Sequence, residues 1–256
     1  MNSGIEDCLT SAHTTPKKWT AQHFERLVLD VNPKSAVFDC DGTLWSGDSG
    51  SGFMVWSFEQ GIVSRSTIDW MDARYRAYLN GKDSELAICG EMVRIYAGLR
   101  EAELRAAAAR FMREFVPRRL FAEMAALVGA LRRNGVEIWA VSSTNKWVVA
   151  EGVRDLGIPE ERVLAAEVRV NEGLISSEIV DVPTGEGKAA ALARVGILHP
   201  DAVFGNSIHD LAMLEIARHA FPVNPSPALI EAATAHGWGY FCPQDAEGIE
   251  AAVGGE

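Results

Sequence analysis

The chain has 256 residues, of which 48% are hydrophobic and 23% are charged. This balance is typical of a globular protein with a packed core, and it excludes a disordered or collagen-like chain. The 24 Lys and Arg against 35 Asp and Glu give a formal net charge of −11. Such an acidic chain is a poor candidate for non-specific nucleic-acid binding, because phosphates repel it. A phosphorylated substrate stays compatible, since a local cation can offset the charge.

The cysteines and the apolar segments indicate a cellular setting. Four cysteines without Cys-x-x-Cys spacing favour neither a zinc site nor a disulfide framework and are typical of a reducing compartment. No apolar segment has the length of a signal-peptide core or of a membrane span. We therefore expect a cytoplasmic monomer or homodimer with neither nucleic acid nor a membrane as its partner.

The predicted elements begin with a polar stretch at residues 1–15 and a helix over 17–29. The apolar run at 35–39 predicts a buried strand that ends in a loop containing glycine. Residues 52–116 carry aromatic and apolar side chains at helical spacing, and the glycines between these stretches are typical of helix ends. We therefore predict a group of helices inserted after the first strand.

Strands and helices alternate from residue 118 onward. Strands are predicted at 136–141, 162–166, 202–204 and 220–223, a hairpin at 167–170 and 174–180, and helices ending at 134 and spanning 146–156, 188–195, 208–217 and 226–235. This alternation predicts an α/β fold with a Rossmann-like, doubly wound parallel sheet covered on both faces. Ligand sites in such sheets lie beyond the carboxyl ends of the strands.

The most unusual motif is Asp39-Cys40-Asp41-Gly42-Thr43, directly after the first predicted strand. Two carboxylates two residues apart can point into one site, one as a nucleophile and the other as a proton donor and acceptor. A plain turn is the alternative, because Asp and Gly are common turn residues. The two carboxylates would repel each other without a cation between them, and Mg²⁺ prefers such oxygen ligands.

Other polar groups lie at the ends of predicted strands or at helix starts. Ser142 and Ser143 follow a strand and precede a helix, where hydroxyls and N–H groups hold phosphate oxygens or simply cap the helix. Asn206 follows a second strand, with Asp210 about one helical turn later, and Lys188 opens a helix. Taken singly, each has a helix cap or a surface lysine as its simpler explanation.

Taken together and in this order, the motifs resemble those of the haloacid dehalogenase-like hydrolase superfamily. The resemblance is carried by Phe38–Leu44 (Asp-x-Asp-Gly-Thr), Ala140–Ser142, Gly187–Ala189 and Gly205–Asp210. The match extends from residue 35 to about 224. The helical insert resembles the cap of the phosphoserine-phosphatase-like branch, which implies a core formed by 1–48 and 118–256 and a cap formed by 49–117.

The resemblance also implies a role for each residue. Asp39 would attack phosphorus and form an aspartyl-phosphate, Asp41 would exchange protons with the leaving alcohol and then with water, and Lys188 would add positive charge. Contacts to the phosphorylated substrate are implied for Thr43, Ser142, Ser143, Asp48 and Lys188, and contacts to Mg²⁺ for Asp39, Asp41, Asn206 and Asp210. Asn206 stands where the family usually has Asp, so we expect weaker Mg²⁺ binding.

The expected activity is Mg²⁺-dependent hydrolysis of a small phosphomonoester. Phosphoserine and a phosphorylated amino alcohol are both candidates. Asp48 lies nine residues after Asp39, about where the similar phosphoserine enzymes have an acid for the substrate ammonium, but Arg94 is displaced from the place of their carboxylate-binding arginine. Two alternatives stay open: a non-catalytic member that binds a phosphate ligand, and a dehalogenase. The dehalogenases of this superfamily lack the second Asp of the first motif, so Asp41 argues against the last.

Three tryptophans are a further candidate feature. Trp45, Trp56 and Trp70 would suit a pocket for a cationic group through contacts with their ring faces. Packing in the hydrophobic core is the alternative explanation for them.

Overall fold

The structure, a computed structural model, describes residues 16–244, so the polar stretch expected at 1–15 lies outside the described residues. The α-helices are α1 (Ala21–Asp30), α2 (Ser49–Glu59), α3 (Arg65–Leu79), α4 (Glu85–Arg94), α5 (Glu101–Phe115), α6 (Ala122–Arg133), α7 (Lys146–Arg154), α8 (Glu186–Arg194), α9 (Leu211–Glu215) and α10 (Pro227–His236). The strands are β1 (Lys18–Trp19), β2 (Ser35–Phe38), β3 (Glu137–Asn145), β4 (Val163–Asn171), β5 (Leu174–Asp181), β6 (Ala202–Gly205), β7 (His219–Pro222) and β8 (Tyr240–Phe241). Short 3-10 helices lie at Val116–Arg118, Glu160–Arg162 and Ile208–Asp210.

The central sheet has the strand order β5-β4-β3-β2-β6-β7. The five neighbouring strands β4, β3, β2, β6 and β7 are parallel to one another, and the edge strand β5 is antiparallel to β4. Strands β1 and β8 form a separate parallel pair. Because β2 lies between β3 and β6, the carboxyl ends of these three strands are neighbours at one edge of the sheet.

Alternate residues of each central strand face opposite sides of the sheet, as the pleat requires. Phe38 packs into a large cluster that continues into α1, α6 and α7. Its neighbour Val37 faces a second cluster with Leu192 of α8, Met213 of α9 and Leu229 of α10. Both faces are therefore covered by helices, which confirms the predicted doubly wound α/β fold.

The helices predicted after the first strand are present as α2 to α5. Their buried residues, among them Phe53, Leu104 and Phe111, belong to the same apolar cluster as Phe38 of the sheet. Glycine at position 90 lets α4 lie close to the hairpin, since a Cβ there would lie 2.8 Å from Ile179 Cδ1. The inserted helices thus pack directly against the sheet and its hairpin.

The predicted boundaries are wrong in three places. Residues 18–19 form a strand because they pair with Tyr240–Phe241, and the helix begins only after Thr20, which caps it. The short strand at 162–166 and the first hairpin arm are one continuous strand, β4, because each part pairs with a different neighbour, β3 or β5. The helix predicted at 208–217 is a 3-10 turn followed by the short α9.

The structure confirms the predicted hairpin, and the backbone geometry of its turn explains why the sequence predicted a turn there. Glu172 and Gly173 both have positive φ angles, 51° and 79°, which is the geometry of a tight two-residue turn. None of the helices within residues 16–244 combines the length and the apolar character needed to cross a membrane.

Candidate active site

A cavity of about 440 Å³ lies between the carboxyl edge of the sheet and the inserted helices. The sheet side contributes Asp39, Asp41, Ser142, Ser143, Lys188 and Asn206. The inserted helices contribute Phe53, Tyr75, Tyr78, Glu85 and Met92, and the segment between α4 and α5 contributes Tyr96. The cavity therefore contains most of the residues that the sequence singled out. Thr43 and Asp210 are the exceptions, because both are fully buried behind its wall.

The sheet explains why residues so far apart in sequence meet here. Asp39 follows the last residue of β2, and its backbone N–H donates to the carbonyl of Phe204 in β6 at 2.9 Å. Asn206 follows the end of β6. Ser142 belongs to β3, whose pairing with β4 is interrupted between Val141 and Asn145. The predicted loop at 142–145 is thus an irregular continuation of the strand.

The carboxylate of Asp39 is nearly buried, at 5% exposure. Lys188 Nζ donates to its Oδ1 at 2.7 Å, and Thr43 Oγ1 donates to its Oδ2 at 2.9 Å. Burial and the nearby Asp210 raise the pKa of Asp39 to about 7, although Lys188 acts to lower it. Thr43 therefore orients Asp39 from behind, which differs from the predicted phosphate contact.

Lys188 bridges two buried carboxylates. Its Nζ donates to Asp39 and, at 2.5 Å, to Asp210 Oδ1. Burial acts to lower the pKa of Lys188, but the attraction of Asp210 and Asp39 outweighs it and raises that pKa. The lysine is therefore protonated at all physiological pH values, and its positive charge lies against Asp39.

Asp210 has a protein partner on each carboxylate oxygen. Its Oδ1 accepts from Lys188, and its Oδ2 accepts from the backbone N–H groups of Asn206 and Ser207 at 2.8 and 2.9 Å. These contacts favour a role in holding Lys188 and the 206–207 backbone in place. Its predicted contact with a metal ion stays a prediction.

Asp41 is held by a different set of donors. Its Oδ1 accepts from Trp45 Nε1 at 2.6 Å and from the backbone N–H of Ser49 at 2.8 Å, and its Oδ2 accepts from Thr144 Oγ1 at 2.8 Å. Burial and the charge of Asp48 raise the pKa of Asp41 to about 6, against the hydrogen bonds that lower it. A carboxyl group with such a pKa can both give and take a proton near neutral pH.

Gly42 brings the first and fourth motifs together. Its φ of 80° favours glycine, and an added Cβ would lie 2.0 Å from Asn206 Nδ2. The amide of Asn206 therefore lies directly beside the Asp41–Gly42 backbone. Asn224, which the sequence did not single out, donates from Nδ2 to the Gly42 carbonyl at 3.3 Å and fixes the same loop.

Both predicted phosphate-binding serines line the cavity, with different surroundings. Ser142 Oγ accepts from the backbone N–H of Thr144 at 3.1 Å and keeps its own proton available. Ser143 Oγ donates to Glu85 Oε1 of α4 at 3.4 Å. Asp48 also lines the cavity, and it caps α2 by accepting from the backbone N–H of Ser51 at 2.9 Å.

Of the two explanations offered for the tryptophans, the aromatic pocket is wrong, since none of the three lines the cavity, and core packing is confirmed for Trp45 and Trp56. Trp45 is fully buried and donates a hydrogen bond to Asp41. Trp56 packs between Phe53 and Phe111. Trp70 is 47% exposed on the surface. Aromatic side chains do line the cavity, but they are tyrosines and a phenylalanine. Their identity depends on which face of each inserted helix meets the sheet, which periodicity alone does not reveal.

Thr144 and the pair Glu85–His209 are the main polar features that the sequence did not indicate. Thr144 follows Ser142 and Ser143 directly, so its position beside the Ala140–Ser142 motif could have indicated that it belongs to the site. Glu85 of α4 forms an ion pair with His209 of the fourth motif. These two residues are 124 positions apart, and nothing local in the sequence connects them.

Comparison with known proteins adds an independent line of evidence. Residues 36–215 match the family model described as haloacid dehalogenase-like hydrolase. A protein of Mycobacterium tuberculosis named a probable phosphatase is 28% identical over 212 residues, which cover 80% of this chain and 73% of that protein. A solved structure from Bordetella pertussis Tohama I, of unknown function, has a TM-score of 0.70 at 24% identity and covers 81% of this chain and 97% of its own.

A phosphoserine phosphatase solved as a phospho-aspartyl intermediate analogue has the same fold. Its TM-score is 0.55 at 15% identity, with 86% of this chain and 98% of that chain covered. The family match spans five of the six strands of the central sheet, the inserted helices and all four motifs that meet at the cavity. The chain therefore belongs to the haloacid dehalogenase-like hydrolases.

Proposed function

We propose that the protein is a phosphatase that hydrolyses a small phosphomonoester through an aspartyl-phosphate on Asp39. The observation that carries this proposal is that two carboxylates in one cavity are held by different groups. Asp39 is aligned by Thr43 and paired with Lys188, whereas Asp41 is held separately with its pKa raised to about 6. One aligned nucleophile and one titrating neighbour suit a two-step displacement.

In the first step, a carboxylate oxygen of Asp39 forms a bond to phosphorus, and the bond from phosphorus to the ester oxygen breaks. The leaving oxygen takes the electron pair, and protonated Asp41 gives it a proton. In the second step, the Asp41 carboxylate removes a proton from water, whose oxygen attacks phosphorus and releases Asp39 and inorganic phosphate. Lys188 and the groups around Ser142 offset the charge on the phosphoryl oxygens.

The donors beside Asp39 fit a magnesium ion. Lys188 pairs with Asp39 and Asp210, and Asp41 adds a third carboxylate, so the site carries excess negative charge. Gly42 leaves room for the Asn206 amide beside the Asp41 backbone. Within residues 16–244 no three His, Cys, Asp or Glu side chains are grouped for a metal ion. The proposed ligands are therefore the Asp39 carboxylate, the Asp41 carbonyl and the Asn206 amide oxygen. When bound, Mg²⁺ would favour ionised Asp39 and offset phosphate charge.

The inserted helices would form the cap, with the boundaries 49–117, and would supply the contacts to the leaving group. Two features support this assignment: α2 to α4 contribute side chains to the cavity, and Glu85 connects α4 to Ser143 and His209. The substrate would be a small phosphorylated metabolite, either phosphoserine or a phosphorylated amino alcohol. A non-catalytic phosphate-binding protein and a dehalogenase are the alternatives.

Release of inorganic phosphate from p-nitrophenyl phosphate, with Mg²⁺ and with a chelator, tests the proposal. We expect multiple turnovers with Mg²⁺ and a large loss of rate with the chelator. A phosphate-binding protein would bind inorganic phosphate without turning over the ester, and a dehalogenase would release halide from a haloacid instead. Either of these outcomes would overturn the proposal.

Asn206→Asp is expected to lower the Mg²⁺ concentration that gives half-maximal activity, by about tenfold. The substitution adds a carboxylate at a position where Mg²⁺ strongly prefers anionic oxygen. Titrating activity against Mg²⁺ for both proteins measures this. Asn171→Asp is the matched control, because it adds the same charge at an exposed position at the end of β4, outside the cavity. An unchanged Mg²⁺ requirement in Asn206→Asp would show that residue 206 does not touch the metal ion.

A further inference from the structure

We propose that the cavity selects the phosphate ester of an amino alcohol and rejects leaving groups that carry a carboxylate. This inference rests on the proposed phosphatase function and decides between its two candidate substrates. It follows from the balance of charged and aromatic groups around the leaving-group side of the cavity, which is formed by residues of α2, α3 and α4.

The side chains that can carry positive charge in the cavity already have carboxylate partners. Lys188 is the only lysine that lines it among the described residues, and it is paired with both Asp39 and Asp210. No arginine lines the cavity within residues 16–244. His209 is the remaining group that can carry positive charge there, and it is ion-paired with Glu85.

The arginines of the inserted helices point elsewhere. Arg74 of α3 forms ion pairs with Glu91 and Asp83, and its Nε lies 2.8 Å from Glu91 Oε2. Arg94 at the end of α4 donates from Nε to the carbonyl of Ser177 at 2.9 Å. A carboxylate on the leaving group would therefore enter the cavity without a cation to meet it, which is costly for a charge removed from water.

Negative charge on the leaving-group side is left without a cationic partner. Asp48 lines the cavity, and within residues 16–244 its hydrogen bonds come from the neutral Ser51, whose backbone N–H and hydroxyl donate to it. Its charge acts across the cavity: after burial, it is the largest cause that raises the pKa of Tyr75 on α3. An ammonium group would meet this charge favourably, and a second carboxylate would be repelled by it.

The aromatic lining of the cavity suits a cation as well. Tyr75 and Tyr78 of α3 both line the cavity, with ring centroids 6.0 Å apart, and Phe53 and Tyr96 contribute further aromatic surface. Aromatic faces attract ammonium groups and offer nothing to a carboxylate. The volume of about 440 Å³ exceeds what a phosphate group needs, so an aminoalkyl chain fits beside it.

A matched set of substrates tests this selection. O-phosphoethanolamine and O-phosphoserine differ only in the carboxylate, and n-propyl phosphate lacks both charges. We expect kcat/KM to fall in the order phosphoethanolamine, propyl phosphate, phosphoserine, with at least about a tenfold difference between the first and the last. Turnover of p-nitrophenyl phosphate combined with any other order would overturn the selection alone, whereas no turnover of p-nitrophenyl phosphate would overturn the phosphatase proposal itself.

Two variants locate the selection in the cavity. Asp48→Asn keeps a good helix cap but removes the charge, so kcat/KM for phosphoethanolamine relative to propyl phosphate is expected to fall about tenfold. Asp69→Asn removes a charge of the same sign from the outer surface of α3, where Asp69 is 58% exposed, and should leave that ratio unchanged. An equal ratio in wild type and Asp48→Asn would show that Asp48 does not contact the leaving group.

The reverse experiment adds the missing cation. Met92→Arg places a guanidinium in the cavity wall on α4, and it is expected to raise kcat/KM for phosphoserine relative to phosphoethanolamine at least about tenfold. No change in this ratio in a folded Met92→Arg protein would show that lack of positive charge is not what excludes the carboxylate.

Discussion

Asp39→Asn is expected to lower the rate of phosphate release at least about a thousandfold, because it removes the nucleophile while keeping the shape of the side chain. The amide oxygen can still accept from Lys188, and Asp210 still pairs with that lysine. Steady-state turnover of p-nitrophenyl phosphate with Mg²⁺ measures the effect. A rate above one tenth of the wild-type value would contradict the assignment of Asp39 as the nucleophile.

Thermal unfolding of the same variant separates loss of chemistry from loss of fold. The pKa of Asp39 rises from 3.8 to about 7 on folding, so ionised Asp39 costs stability increasingly as pH rises from about 4 through 7. Asp39→Asn without Mg²⁺ should therefore be at least as stable as the wild type at pH 8. Asp69→Asn is the control for the loss of one negative charge, and it should keep full activity.

Lys188→Met is expected to destabilise the protein by about 3–5 kcal/mol at neutral pH, because it leaves two buried carboxylates without their shared cation. Lys188 and Asp210 have side-chain exposures of only 3% and 0%, so water cannot replace the lost partner. The destabilisation should shrink as pH falls toward 4, since Asp39, whose pKa burial already raises to about 7, loses the cation that lowers this pKa and takes up a proton more readily in the folded than in the unfolded chain. Denaturant unfolding at pH 7.5 and pH 4.5 measures both effects.

Lys146→Met is the matched control for this prediction. Lys146 Nζ lies 2.7 Å from Glu167, the same distance as Lys188 from Asp39, but the two side chains are 25% and 38% exposed. Exposed pairs contribute about 1 kcal/mol or less. If Lys188→Met were no more costly than Lys146→Met, or if its effect were independent of pH, the buried Asp39–Lys188–Asp210 cluster would not be ionised as described.

The sequence by itself determined the fold class and singled out the Asp39–Thr43 motif. Alternating apolar strands and amphipathic helices can be satisfied only by a sheet with both faces covered, and that pattern is local in the chain. The resemblance to the family then implied that Asp39, Ser142 and Asn206 belong to one site. All three line the same cavity, although up to 167 positions separate them, because the strands β2, β3 and β6 that precede or contain them are neighbours in the sheet.

Only the tertiary structure decided what surrounds those residues. Thr43 and Asp210 lie behind the wall because buried carboxylates need donors on all sides, and nothing in their spacing says which side faces the substrate. The tyrosines of α3, rather than any of the three tryptophans considered for that role, line the cavity because the rotation of an inserted helix is set by how it packs on its neighbours. Charge pairing across the fold, such as Arg74 with Glu91 and Glu85 with His209, leaves Asp48 without a cationic partner. Such a balance depends on distances between elements, which the sequence of one chain does not contain.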